Sequence, residues 1–189
     1  MWKALCLLLL IAPAALAQSR TYDVRSGEKS TAQFHAEDTY DSFDGNTNRV
    51  SGTIVADAAA PASSSVALTV ELRSLDTGVG LRNKEMRERY LETGKFPDAT
   101  FKSVSVSGPA SIAANAPEEI RVTGDFTLHG VTKRMTIPVR VVMIPDGRIH
   151  ATSSFAVKMP EFGINVPKNV LVTVNDEVPV RLDIWANAK

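Results

Sequence analysis

Apolar and polar residues alternate with a period of two along most of this chain. Ala32, Phe34 and Ala36 alternate with Gln33, His35 and Glu37, and Val66, Leu68, Val70 and Leu72 alternate with Ala67, Thr69, Glu71 and Arg73. The same rhythm runs through 120–128, 131–143 (Lys133 excepted), 149–157 and 178–184. Side chains that switch faces at every residue, one face buried and one wet, predict antiparallel strands. With 22–25, 46–57 and 100–106 added, the pattern predicts about eight or nine strands. His129-Gly130 and Pro145-Asp146-Gly147 read as tight hairpin turns, and 107–117 as a longer surface loop. So many strands in one domain form a sandwich or a barrel. Long hairpin-linked strands such as 131–144 favour the barrel, because closure removes exposed edges.

One segment breaks the rhythm. Charged residues dominate from Arg82 to Glu92, while Met86 and Tyr90 fall one helical turn apart, which predicts a short helix over 82–92. Asn83 fits an N-cap, and Gly94 a left-handed stop ahead of Pro97. A lone helix among strands covers a barrel end, a sheet edge or a ligand mouth. Met86 and Tyr90, flanked by Leu91, suit a lid that offers adaptable packing and a phenolic hydroxyl. The same amphipathic pattern suits a simple plug.

The ends and the charge narrow the class. Lys3, the apolar run 4–12 and Ala15-Leu16-Ala17 predict a signal peptide cleaved after Ala17, leaving one domain over 18–189. That apolar run is too short to span a bilayer, and no later stretch is long enough. The single cysteine, Cys6, falls in the removed segment, so the remaining chain has no disulfide. This is expected of a periplasmic or secreted bacterial protein stabilised by its core alone. The chain carries 21 basic and 21 acidic residues, and loss of Lys3 leaves a net charge of −1. That balance gives no electrostatic case for nucleic acid or an anionic membrane as partner.

Several segments resemble the YceI family of bacterial periplasmic proteins. They are Ser74-Leu75-Asp76-Thr77-Gly78, Arg82-Asn83 leading into Met86 and Tyr90-Leu91-Glu92, Phe96-Pro97, and Thr100-Phe101-Lys102-Ser103. Gly124 to Lys133 (GDFTLHGVTK), Phe162-Gly163-Ile164 and Asp176-Glu177-Val178 follow in the family's order, and Tyr22-Asp23-Val24 and Val50 to Ile54 fit as well. The resemblance implies a lipocalin-like, antiparallel, eight-stranded β-barrel with one short helix. It also implies an apolar interior that holds an isoprenoid or other long-chain amphiphile, and no catalytic residues. The chain departs from the family pattern at Gly27-Glu28-Lys29-Ser30, where a histidine–serine pair is common. A second departure is His35, which follows Phe34 directly and precedes Glu37 and Asp38. Both changes fall near one predicted barrel end, so ligand identity is not carried over.

Catalytic constellations find little support. Asp76-Thr77-Gly78 spells an aspartic-protease tripeptide, but that chemistry needs two carboxylates sharing a proton and only one copy exists. A turn in which Asp76 or Thr77 bonds local backbone is the plainer reading. His35, His129 and His150 have no metal-ligand spacing; His129 falls at a hairpin, and the other two on outward positions. No Gly-x-Ser-x-Gly elbow and no Gly-rich phosphate loop is present. No metal, cofactor or catalytic residue is therefore assigned.

The inward faces carry the remaining signal. Ala32, Ala36, Gly124, Ala151 and Ser153 fill a barrel poorly, while Phe34, Phe101, Phe126 and Phe155 stand on separate strands and suit a long tunnel. With Leu68, Val70, Met135 and Val139 on the strands, Met86 and Tyr90 on the helix and Phe162 in loop 158–170, they form the candidate ligand-binding set. The expected function is to carry or sequester a lipophilic molecule, as a monomer or homodimer, with the helix and loop 158–170 gating access. Two rivals stay open: a fully packed barrel that acts through protein partners, and an enzyme acting on a lipid.

Overall fold

The computed structural model describes residues 19–168 and 173–189. The expected signal peptide, 1–17, and positions 169–170 of the gating loop lie outside the described residues. Ten strands follow in order: β1 (Arg20–Val24), β2 (Thr31–Glu37), β3 (Ser42–Thr47), β4 (Val50–Ala56), β5 (Ser65–Glu71), β6 (Asp98–Ser107), β7 (Pro117–Leu128), β8 (Val131–Ile144), β9 (Arg148–Lys158) and β10 (Glu177–Ala188). Their ladders are all antiparallel.

The ten strands build an eight-stranded barrel. The ring runs β1-β4-β5-β6-β7-β8-β9-β10 and closes through β1 with β10. One edge of β10 meets β1 at Asn187 and Ala188, then β2 from Val180 to Asp183. Thus β1 and β2 are two halves of one wall strand, and β3 and β4 are two halves of its neighbour. Side chains repair the breaks. Buried Ser30 accepts a hydrogen bond from the Trp185 N–H (2.9 Å) and donates to its C=O (3.2 Å) where β10 passes between the half-strands. Thr47 Oγ1 accepts from the Arg49 N–H (2.9 Å) at the β3–β4 kink.

Local chemistry sets the remaining turns. His129 and Gly130 take φ of 51° and 74°, the paired left-handed geometry of a type I′ hairpin between β7 and β8. A bulge between Ser103 and Ser105 expels Val104 to solvent, so Phe101 and Val106 both face inward despite their odd spacing. Tyr22, Ile54, Ile149 and Ile184 pack one end of the barrel. Leu72, Leu75, Leu128, Met159 and Phe162 pack the other.

The helix differs from the prediction in three details. It starts earlier, as α1 (Gly80–Glu85), and continues as one π-helical turn over Met86–Tyr90. There the Leu91 N–H reaches back to the Met86 C=O (2.8 Å). Asn83 is no N-cap, because it sits inside the first turn and binds the preceding loop instead. The left-handed residue is Glu92 (φ 43°) and not Gly94. The wide turn reverses the chain early, and the Glu92 carboxylate is anchored on both sides by Lys95 and His129. Among the described residues no helix is long and apolar enough to cross a membrane.

Candidate functional site

Between the two packed ends lies a chamber of about 700 Å³. Alternation on each strand turns one apolar row toward it. Phe34, Leu68, Val70, Phe101, Phe126, Met135, Val139 and Phe155 line it from the wall, and Met86 and Tyr90 from the helix. The π-helical turn also brings Leu91 to the same side as Met86. Small residues keep the space open. A Cβ on Gly124 would stand 2.5 Å from the Phe101 ring and 2.6 Å from the Lys102 C=O, so only glycine lets that ring lie against β7.

Phe162 is the exception among the predicted contacts. It does not line the chamber; it is buried in the wall behind Phe126, with ring centroids 5.4 Å apart and nearly perpendicular. The 3-10 turn Met159–Phe162 places it one layer out, while Met159 and Ile164 reach the chamber. Phe162 is therefore a packing residue.

Polar groups gather at the chamber's ends. Asp38, Asp41, Arg82 and Glu85 stand at the helix end, Asp57 and Ser64 at the other. Most are already committed. Asp38 Oδ1 accepts from the Tyr40 and Asp41 N–H groups (2.8 and 2.9 Å), which hold its carboxyl below the usual range. Asp57 Oδ1 accepts from the Ala59 and Ala60 N–H groups (2.9 and 3.2 Å). The Arg82 guanidinium lies 4.0 Å from the Phe43 ring centroid. Leu81 and Val79 are exposed at this rim yet line the chamber, which marks the helix end as its mouth.

Three tethers fix the helix over that mouth. Asp76-Thr77-Gly78 is a turn: Asp76 Oδ1 accepts from the Gly78 N–H (2.8 Å) and from Asn83 Nδ2 (2.7 Å). Asn83 Oδ1 in turn accepts from the Thr77 N–H and hydroxyl. The Asn83 bond, then the Gly78 N–H, hold the Asp76 carboxyl below its ordinary value. Arg87 Nη2 donates to the Leu75 C=O (2.6 Å). His129 forms the third tether, with Nδ1 against the Phe162 C=O (3.1 Å) and Nε2 against Glu92 Oε2 (3.0 Å). Lys95 first, then His129, keep the Glu92 carboxyl below its usual range. Sequence spacing gives no sign of this contact, because Glu92 and Phe162 are far from His129 along the chain.

The other two histidines face outward. His35 pairs with Asp44 (2.8 Å), and this bond raises its pKa. His150 bonds Asp183 (3.0 Å) and stacks on Trp185. No histidine lines the chamber. Among the described residues no three His, Cys, Asp or Glu side chains converge as a metal site would require.

Comparison with known proteins agrees with this architecture. The YceI-like domain model matches residues 22–186. The protein YceI of Escherichia coli O157:H7 is 31% identical over 137 residues, covering 71% of this chain and 68% of that protein. A UPF0312 protein of Shewanella sp. strain W3-18-1 is 33% identical over 166 residues, covering 84% and 83%. Among solved structures, BcnA of Burkholderia cenocepacia superposes with a TM-score of 0.72 at 23% identity, over 84% of this chain and 96% of that one. A polyisoprenoid binding domain from Saccharophagus degradans gives 0.68 at 18% identity, over 91% and 100%. Likeness at those identities concerns the fold. The family match spans nearly every strand that lines the chamber, and the chain belongs to the YceI-like domain family.

Proposed function

We propose that this protein carries or sequesters a long-chain amphiphile, isoprenoid or fatty in character, with the tail buried in the barrel. The observation that supports this reading most is the chamber of about 700 Å³, lined mainly by apolar side chains of the strands and helix, with its charged groups at its ends. Each methylene moved from water into such a space contributes about 0.8 kcal/mol. A dozen carbons contribute roughly 10 kcal/mol, comparable to the roughly 4–15 kcal/mol that association and ordering cost. Longer chains bind with a surplus, and no directed polar chemistry is required. The polyisoprenoid-binding description of the Saccharophagus domain fits the same chemistry.

An unfilled interior favours carriage over a packed barrel that acts through protein partners. Binding is likewise favoured over catalysis, since the histidines lie outside the chamber and Asp38 and Asp57 at its ends are held by backbone N–H groups. The predicted signal peptide over 1–17 supports a periplasmic or secreted site of action. Calorimetry of the delipidated protein with prenyl alcohols of increasing length tests the proposal. Affinity is expected to rise with each unit until the chamber is full; no binding at any length would overturn it.

A further inference from the structure

The ladder of the barrel wall stops short between β8 and β9. β7 pairs with β8 along the whole of β7, and β9 with β10 along nearly all of both. The ladder between β8 and β9 stops at Val139 opposite Ser153, although β8 reaches back to Val131 and β9 runs on to Lys158. Pro138 is the cause. It has no N–H to offer β9, and its C=O accepts from the Ser153 hydroxyl (2.7 Å) instead of from the next strand residue. Neither backbone group at 138 extends the ladder to Ser154.

On the outer surface at this point lies a groove of about 540 Å³. Gln33, Thr152, Ser153 and Leu182 line both the groove and the chamber, so the wall between them is a single layer of residues. Below the split, the lower half of the β8–β9 boundary has no backbone ladder. Ile137 and Val157 are buried there and, together with Phe155, line the chamber. The turn Met159–Phe162 crosses the lower end, fixed by Lys133 to Glu161 (2.9 Å) and by His129. A boundary closed by side chains opens by rotamer changes, whereas a ladder opens only by breaking backbone hydrogen bonds.

We propose that this β8–β9 seam is a lateral passage through which an amphiphile's chain enters and leaves the chamber. The inference rests on the carrier reading and adds the route. A chain can slide in sideways while its polar head stays wet in the outer groove. There the Thr152 and Ser154 hydroxyls and the Arg140 and Arg181 guanidiniums supply donors for a head rich in acceptor oxygens.

Stapling tests it. Continued register would set Thr136 opposite Ala156, both exposed, so Thr136→Cys with Ala156→Cys in a Cys6→Ser background can lock the seam by oxidation. A fluorescent long-chain fatty acid is bound, and its release into excess unlabelled fatty acid is followed by stopped flow. The oxidised form is expected to release it about tenfold or more slower than the reduced form, beyond the few-fold that one backbone hydrogen bond of about 1 kcal/mol supplies. Pro138→Thr, which restores the N–H without a cross-link, is expected to slow release and to protect the amides of 154–158 from exchange. A second cross-link, a bismaleimide joining Phe43→Cys to Arg82→Cys, whose native side chains meet there, closes the mouth under the helix. Retained binding with equal rates in both redox states of the seam staple, or slowing confined to the mouth cross-link, overturns the passage alone. Absence of binding in every form overturns the carrier reading as well.

Discussion

At the scale of single residues, what decides a side chain's role is the layer it occupies. Phe101 and Phe162 are both apolar aromatics near Phe126, yet one faces open space and the other is sealed. Phe162→Ala is expected to cost about 3–5 kcal/mol in urea unfolding, as removal of a fully packed phenylalanine does. Phe101→Ala is expected to cost less, because one side of its ring already lacks neighbours, and to weaken binding of a long chain. Equal losses in stability would contradict the layer assignment. Period-two alternation makes Phe101 legible as inward-facing from sequence, along with Phe34, Phe126 and Phe155. Phe162 has no such rhythm around it, since Pro160 and Gly163 bracket a 3-10 turn, and its direction is set by tertiary contacts.

At the scale of elements, the helix is held by bonds that need ionised carboxyls. Asp76 and Glu92 both have lowered pKa values, from Asn83 and Lys95 in the first place. A depressed carboxyl stabilises the fold above its ordinary value, here 3.8 for Asp76 and 4.5 for Glu92, and that contribution is lost as pH falls through the folded-state value. Wild type is therefore expected to melt higher than Asp76→Asn or Glu92→Gln at neutral pH, with the gap closing on acidification below the ordinary carboxyl values. A gap that is constant with pH would contradict these tethers. The existence of the helix is legible because its charge density and the Met86–Tyr90 spacing break the strand pattern. Its ends are not, because the π-helical turn and the anchoring of Glu92 by His129 depend on partners remote in sequence. The split strands hide for a similar reason. Their register is carried by Ser30 and Thr47 bonding distant backbone or nearby turn groups, which a hydrophobic pattern does not record.

At the scale of the whole molecule, the barrel follows from the sequence by an argument of edges. Many alternating strands with hairpin links have few ways to hide their unpaired groups, and closure is the complete one. Whether the interior is hollow depends on how volumes sum across strands that meet only in space. Gly124 shows the difficulty: its inward position is legible, but its role in making room for the Phe101 ring needs the neighbouring strand. A chamber of about 700 Å³ inside an otherwise packed barrel is the central structural fact, and its occupancy decides the function. Native mass spectrometry of the gently purified protein, followed by organic extraction, reads that occupancy directly. Carriage requires a mass above that of the polypeptide, lost on extraction, with a long-chain prenyl or acyl compound recovered in the organic phase. A bare polypeptide mass, unchanged after incubation with prenyl alcohols and fatty amides, would contradict it.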